Sequence, residues 1–132
     1  MLCFFIKVRQ HEPQDLGTNS PEPCDYPVIA EAVSKAVSGK KAERGILICK
    51  SGIGMAIAAN KVKGIRAALA HNVKSAALSR EHNDANVLVL SADDLQESSD
   101  AILRAWLDTK FEGGRHQRRV DQIAEIEKKN FK

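Results

Sequence analysis

The residues best suited to chemistry lie around Cys49, which ends a short apolar run and precedes a glycine-rich turn. Positions 45–49 are Gly-Ile-Leu-Ile-Cys, and Lys-Ser-Gly-Ile-Gly follows at 50–54. A buried strand, a glycine turn and a helix, in that order, place free backbone N–H groups at the end of a parallel sheet. A thiol beside such groups is favoured as the reactive thiolate. We therefore predict that this segment forms one wall of an active site.

The glycines at 52 and 54 do not fit the two common nucleotide motifs. The third glycine of a dinucleotide fingerprint would fall on Ile57, and no acidic residue follows about 20 positions later. Lys50 precedes the glycines, whereas the lysine of a phosphate-binding loop follows them. A lone cysteine is more often a packed core residue, but the position of Cys49 before this turn favours the reactive interpretation. With both nucleotide motifs excluded, the glycine turn is best interpreted as a general binding site, or cradle, for anions.

The histidines do not predict a metal site. His71, His82 and His116 have no partner at the short spacings typical of zinc ligands, so we expect no metal and no other cofactor. His82 follows Arg80 at the end of a predicted helix, where polar residues are ordinarily solvated surface. That helix end faces the amino edge of the sheet, away from Cys49 of the same chain. If His82 takes part in chemistry, we expect it to act in the site of a partner subunit.

Two arginines near the carboxyl terminus have the spacing of an anion grip. Arg115 and Arg119 would share one face of a helix and suit bidentate contact with a phosphate, although an ordinary exposed pair fits the spacing equally well. A nucleic-acid surface is not expected, because the formal charge is only +3 and the chain has one tyrosine and one tryptophan.

Composition describes one soluble domain over residues 1–132. Apolar residues make up 43% and charged residues 28% of the 132 positions, as in ordinary globular proteins. No segment has the length of a membrane span or the pattern of a signal peptide. Three cysteines without paired spacing indicate a reducing compartment, so we expect a cytoplasmic protein.

Strand and helix patterns alternate along the chain. They predict a three-layer α/β fold with a mostly parallel sheet and a ligand site beyond the carboxyl ends of its strands. We expect helices from residue 25 or 26 to about 38, from 55 to about 63, from 73 to about 83, from 98 or 99, and from about 120; strands at 2–8, 45–49, 65–70 and 86–90; and a loop at 111–116.

Seven segments of this chain resemble one family. The longest are Ser-Gly-Ile-Gly-Met-Ala-Ile-Ala-Ala-Asn-Lys at 51–61, Leu-Ser-Arg-Glu-His-Asn-Asp-Ala-Asn-Val-Leu at 78–88 and Glu-Gly-Gly-Arg-His-Gln-Arg-Arg-Val at 112–120. Shorter matches lie at 15–19, 25–27, 45–49 and 64–68. From about residue 15 to its end, the sequence resembles ribose-5-phosphate isomerase type B, in the family that includes the galactose-6-phosphate isomerase subunits.

The resemblance implies a Rossmann-like fold and a metal-independent step of the pentose phosphate pathway, in which ribose 5-phosphate and ribulose 5-phosphate interconvert through a cis-enediolate. It makes Cys49 the base, and it places the developing oxyanion on the backbone N–H groups of Ser51, Gly52, Ile53 and Gly54. Ser51 stands where the family often has threonine, a hydroxyl that can hold a substrate oxygen.

The same resemblance assigns the remaining site residues. His82 would open the sugar ring, Asn83 would bind sugar oxygens, and Tyr26 would line the pocket. Arg115 and Arg119 would grip the phosphate. The resemblance further implies a homodimer with shared active sites, sometimes paired into a tetramer, and a phosphorylated pentose as its substrate, with neither nucleic acid nor membrane as a partner.

Some features depart from the family pattern. Residues 1–14 lack the expected Asp-His pair, so we predict that the first strand–helix unit is missing or altered. Lys50 replaces a glycine of the cradle, and Asp93 stands roughly where an arginine helps to bind phosphate. These departures keep two alternatives open: an isomerase of another aldose phosphate, and an impaired homologue that acts as a sugar-phosphate-binding or assembly partner.

Overall fold

The computed structural model describes residues 12–17 and 24–131, and within them helices and strands alternate as predicted. The predicted strand at 2–8 lies outside the described residues. The elements are α1 (Tyr26–Ser38), β1 (Gly45–Cys49), α2 (Ile53–Ala59), β2 (Ala67–Leu69), α3 (Val73–Asn83), β3 (Val87–Ser91), α4 (Ser99–Asp108) and α5 (Arg115–Asn130).

The described strands form one parallel sheet in the order β1-β3-β2. Gly45 pairs with Val87 and Cys49 with Ser91, while β2 pairs along the other side of β3. Every residue of the central strand β3 is buried, as expected for a strand covered on both faces. The parallel sheet predicted from the sequence is confirmed.

Helices cover both faces of this sheet and give it three layers. On one face α1 and α2 pack over residues such as Leu47 and Val89. On the other face α3 and α4 enclose a second core that includes Leu90 and the fully buried Trp106. The three-layer α/β fold expected from the sequence is therefore confirmed, with its core divided between the two faces of one sheet.

Local signals set several helix boundaries where the sequence placed them. Pro27 lies in the first turn of α1. The Asn72 side chain accepts a hydrogen bond from the Ser75 N–H at the start of α3, and Ser98 caps α4 through the Ala101 N–H. Such caps satisfy N–H groups that have no partner inside the helix.

The region around β2 differs from the prediction. Helix α2 ends at Ala59 instead of continuing to about residue 63, and β2 covers Ala67–Leu69 instead of 65–70. The Asn60 amide donates to the Ala67 C=O and accepts from the Ala67 N–H. The Asn86 side chain accepts from the Arg66 N–H. Side-chain amides thus occupy backbone groups that a longer strand would have used in its ladder.

The predicted loop at 111–116 is also too long, because α5 begins at Arg115. His116 is therefore the second residue of a helix. Gly113 and Gly114 have φ of 70° and 55°, a region that glycine enters without steric cost. The chain reverses there, and α5 returns against the end of α3. No helix in the described part of the chain has both the length and the apolar character needed to cross a bilayer.

Candidate active site

The Cys49 thiol lies at the carboxyl end of β1, where the sequence placed it. Its side chain is half-buried, and it borders the core formed by α1 and α2. The Gly52 N–H donates a hydrogen bond to Cys49 Sγ over 3.1 Å. An N–H directed at sulfur stabilises negative charge there. The thiol is therefore partly accessible to solvent, and it is hydrogen-bonded to the turn that follows β1.

The turn after Cys49 depends on Gly52. This residue has φ of 79°, and a Cβ on it would lie 2.5 Å from Leu69 Cδ1. The left-handed conformation strongly favours glycine, and any other residue would also displace the Leu69 methyl group. The exposed Ser51 accepts a hydrogen bond at its Oγ from the Ile53 N–H, over 3.3 Å. The turn thus gathers a hydroxyl and main-chain N–H groups beside the sulfur.

Tyr26 comes to the same place from the start of α1. A Cβ on Gly54 would lie 2.5–2.8 Å from Tyr26 ring atoms and the hydroxyl, so the ring rests directly on this glycine. Tyr26 is 44% exposed, and it forms an open side wall. The structure therefore brings together six of the predicted site residues: Tyr26, Cys49, Ser51, Gly52, Ile53 and Gly54.

The end of β3 supports the turn from the other side. The Lys50 C=O accepts hydrogen bonds from Ser91 Oγ at 2.8 Å and from the Asp93 N–H at 3.2 Å, and the Cys49 C=O accepts one from the Ala92 N–H. The side chains of Lys50 and Asp93 are both exposed. These bonds hold the backbone of the turn against the end of β3 and the two residues that follow it.

The other predicted residues gather at the opposite edge of the sheet. His82 and Asn83 end α3, and Arg115 and Arg119 occupy the exposed start of α5. The Glu112 N–H donates to the Glu81 C=O over 3.1 Å and ties these helix ends together. One chain thus assembles two groups of predicted site residues.

The two groups are separated by the length of the strands. Asn83 lies four residues before Val87, which pairs with Gly45 at the start of β1, whereas Cys49 is at its end. Five residues of strand span about 13 Å. A single chain therefore keeps His82 away from its own Cys49. The topology predicted from the sequence implied this separation.

Sequence reasoning missed the surroundings of His82. Its ring stacks on His116 with centroids 4.1 Å apart and planes 13° from parallel. His116 is 5% exposed, and its Nε2 lies 3.4 Å from Glu112 Oε2. The four-residue spacing of Glu112 and His116 was the available signal, but we expected these residues to lie in a loop. Burial lowers the pKa of His116, and the charges of His82, Arg115 and Arg119 lower it further, against the raising effect of Glu112.

Potential ligand atoms of His82, Glu112 and His116 lie within 4.8 Å of one another. The in-plane lone pairs of two stacked rings run side by side in planes about 4 Å apart, whereas zinc needs ligands that converge on it at about 2.0–2.1 Å. This arrangement fits two packed imidazoles better than it fits a metal centre.

A cavity of about 440 Å³ also lies at the amino edge, lined in part by Arg44, Arg66 and Arg80. Its arginines already hold the fold. Arg44 donates to the carbonyls of Trp106 and Leu107, and Arg66 and Arg80 both contact Asp84. Arg44 also lies over the Trp106 ring, 5.3 Å from its centroid. These cations cap the ends of helices and lie apart from Cys49.

We predict that Gly54→Ala destabilises the chain by about 1–2 kcal/mol, because the new methyl group forces the Tyr26 ring to move. In a Tyr26→Ala background the clash disappears. The same change should then stabilise α2 by about 0.5–1 kcal/mol, the usual advantage of alanine over glycine inside a helix. Urea denaturation of the four proteins measures both effects, and destabilisation in both backgrounds would contradict the contact.

A second prediction concerns pH. The unfolded chain protonates His116 near pH 6.5, and the folded chain does so only at lower pH. Protonation therefore favours the unfolded state, and the stability that this site contributes is complete above pH 6.5 and lost as pH falls below it. We expect the free energy of unfolding to fall less steeply below pH 6.5 in His116→Gln than in the wild type. Identical slopes in the two proteins would contradict this.

Comparison with known proteins identifies the family of this chain. A family model described as Ribose/Galactose Isomerase matches residues 2–123. The match starts before residue 15, where we expected the resemblance to begin. The ribose-5-phosphate isomerase B of Escherichia coli strain K12 is 48% identical over 116 residues, which are 87% of this chain and 78% of that protein. A ribose-5-P isomerase B of Listeria innocua is 44% identical over 126 residues, which are 95% of this chain and 85% of that protein.

Solved structures give the same result. Ribose-5-phosphate isomerase B of Clostridium thermocellum superposes with a TM-score of 0.89 at 48% identity, covering 92% of this chain and 82% of that one. The Mycoplasma genitalium enzyme, solved with bound ribulose-5-phosphate, gives a TM-score of 0.82 at 46% identity, covering 88% of this chain and 78% of that one. The chain is therefore an isomerase that belongs to the ribose/galactose isomerase family, among proteins of the ribose-5-phosphate isomerase B type.

Proposed function

We propose that this protein interconverts ribose 5-phosphate and ribulose 5-phosphate without a metal, with Cys49 as the base. The observation that carries the proposal is the 3.1 Å hydrogen bond from the Gly52 N–H to the Cys49 sulfur, at the open end of β1. The names of the relatives supply the substrate. The reaction would take place in the cytoplasm, as a step of the pentose phosphate pathway.

In the proposed reaction, Cys49 moves one proton between neighbouring carbons. The thiolate takes the proton from C2 of the open aldose, and the electrons of that bond form a C1–C2 double bond as charge develops on O1. The proton on O2 passes to O1, and the thiol then protonates C1 while the carbonyl forms at C2. The product is the ketose, and the thiolate is regenerated. Each proton and electron pair is accounted for within substrate and thiol.

The cis-enediolate intermediate needs donors for its negative charge. In this proposal the N–H groups from Ser51 to Gly54 supply them, and the Ser51 hydroxyl binds a sugar oxygen. The N–H groups of Gly52 and Ile53 would exchange their present acceptors, Cys49 Sγ and Ser51 Oγ, for the substrate oxygen. Fixed main-chain donors stabilise a developing oxyanion without reorganising during the reaction. The left-handed turn at Gly52 supports this assignment, because it brings backbone instead of a side chain close to the site.

In this proposal, the residues at the opposite edge of the sheet open the sugar ring and bind the phosphate. His82 would open the furanose by exchanging protons with the ring oxygen and the C1 hydroxyl, while Asn83 holds hydroxyl groups. Arg115 and Arg119, exposed on one face of α5, would bind the phosphate. Tyr26, which rests on Gly54 in the first group, would flank the sugar.

A homodimer would bring the two groups together. The Cys49 side of the molecule carries exposed apolar residues on α1 and α2, with Val28, Ile53 and Ile57 between 57% and 66% exposed. A cluster of this kind beside an incomplete site is typical of a protein interface. We propose that a second copy covers it and supplies His82, Asn83, Arg115 and Arg119. Two such dimers could pair into a tetramer.

One observation favours a second function, that of an impaired homologue that binds sugar phosphates or assembles with a partner. The Asp93 N–H donates to the Lys50 C=O, so an acidic residue follows β3 next to the proposed anion cradle, and a carboxylate turned toward the cradle would oppose negative charge there. Another aldose phosphate as substrate is the remaining alternative, and comparison of kcat/KM among aldose phosphates separates it from ribose 5-phosphate.

We expect Cys49→Ala to lower turnover of ribose 5-phosphate about a thousandfold or more, because it removes the base. The variant should also stop exchange of a C1 hydrogen of ribulose 5-phosphate with solvent in D2O, which nuclear magnetic resonance measures. The exposed Cys24 supplies the matched control, and Cys24→Ala should keep both activities. Undiminished turnover in Cys49→Ala would remove the proposed base. Retained sugar-phosphate binding with no wild-type turnover would favour the impaired homologue.

Mixed dimers test the shared site. Cys49→Ala and His82→Ala should each be inactive alone as homodimers. After mixing and subunit exchange in equal amounts, half of the dimers combine one of each chain, and each of these holds one intact site. Turnover should therefore recover to about a quarter of the wild-type value. No recovery, in a sample where mass spectrometry shows exchanged dimers, would contradict a site shared between chains.

A further inference from the structure

His82 rests on a second imidazole that the proposed reaction does not use. His116 stacks on it with ring centroids 4.1 Å apart, and His116 is almost completely buried while His82 is partly exposed. The two residues come from different helices, α3 and α5. The pair therefore consists of one accessible ring and one enclosed ring that covers its face.

The enclosed ring belongs to a segment that backbone hydrogen bonds join to α3. His116 Nε2 lies 3.4 Å from Glu112 Oε2, and the His116 N–H donates to the Gly113 C=O at the start of α5. Glu112 in turn donates its N–H to the Glu81 C=O, next to His82. The loop that carries Glu112 thus links the end of α3 to the start of α5 through backbone and side chain together.

We propose that His116 is a positioning residue for His82: its ring, buried where α5 packs against α3, stacks on the His82 ring and keeps it in the plane from which it can exchange protons with the sugar. This inference rests on the proposed function, in which His82 opens the furanose. A histidine whose partner fixes its ring loses less orientational freedom on reaching the reacting geometry.

The charges around His116 suit this role. His82 faces it from α3, Glu112 from the preceding loop, and Arg115 and Arg119 from its own helix. Burial and the nearby positive charges disfavour a proton on His116, so the stack presents a neutral face to His82. Glu112 is the negative group of the four, and its Oε2 lies 3.4 Å from Nε2 at the edge of the His116 ring.

The test separates stacking from proton chemistry. His116→Ala removes the ring, and we expect kcat from ribose 5-phosphate to fall roughly 10- to 100-fold with little change in KM. His116→Phe keeps a flat ring without nitrogens and should stay within about threefold of the wild type. Loss of activity in both variants, or in neither, would overturn the inference.

Exchange of the C1 hydrogen of ribulose 5-phosphate distinguishes positioning of His82 from a general structural role. Loss of a merely structural residue would lower this exchange, whereas loss of a positioning residue for His82 would not. Ribulose 5-phosphate is acyclic, since its O5 carries the phosphate, so exchange of its C1 hydrogen in D2O needs Cys49 but no ring opening. We expect exchange to persist in His116→Ala while turnover of ribose 5-phosphate falls. An equal loss of both would assign His116 to general stability instead.

A double mutant completes the test. If His116 acts through His82, then His82→Ala with His116→Ala should turn over ribose 5-phosphate as slowly as His82→Ala alone. Multiplied effects would overturn the inference. Failure of the proposed function is distinguishable, because it would appear as undiminished turnover in Cys49→Ala, whatever the His116 variants show.

Discussion

The parallel pairing of β1 with β3 is the constraint on which the Cys49 side of the molecule depends. It sets Cys49 opposite Ser91, and Ser91 and the two residues after β3 then donate hydrogen bonds to the carbonyls of Cys49 and Lys50. The backbone at the end of β1 is therefore held on its β3 side before the chain turns. Gly52 can adopt a left-handed conformation there and direct its N–H at the sulfur. A shift of register by one residue would turn the thiol to the other face of the sheet.

The same sheet explains why the predicted residues separate into two groups. In a parallel sheet the carboxyl ends of all strands lie on one side, and the helices that connect the strands end on the opposite side. The last residues of α3 therefore cannot lie beside the last residue of β1. The stacked pair of His82 and His116 forms at the amino edge, where α5 returns after the turn at Gly113 and Gly114. The direction of the strands therefore decides which site residues lie together in one chain. In the proposed dimer, a second copy would cover the apolar surface on α1 and α2 and bring the two groups together.

Much of this arrangement could be predicted from the sequence, because its signals are local. Asn72 and Ser98 cap their helices, Pro27 lies in the first turn of α1, and the apolar run to Cys49 is a strand. The length of β2 was not predictable in this way, since the side chains of Asn60 and Asn86 occupy backbone groups across distances that no periodicity shows. The contact of His116 with His82 was missed for the same reason: it depends on where α5 begins and on how it packs against α3. Local sequence patterns therefore predict which helices and strands form, whereas tertiary contacts determine where some of them begin and end.

The placement of the two groups of site residues at opposite edges of the sheet affects how turnover depends on protein concentration. The described residues of one chain form a core on each face of the sheet, whereas under the proposed arrangement each reaction centre needs two chains. Dilution below the dissociation constant would then leave folded monomers that cannot turn over substrate, and output would fall with the square of the protein concentration instead of linearly. In such a protein the amount of enzyme in a cell regulates catalysis more steeply than it regulates the quantity of folded polypeptide.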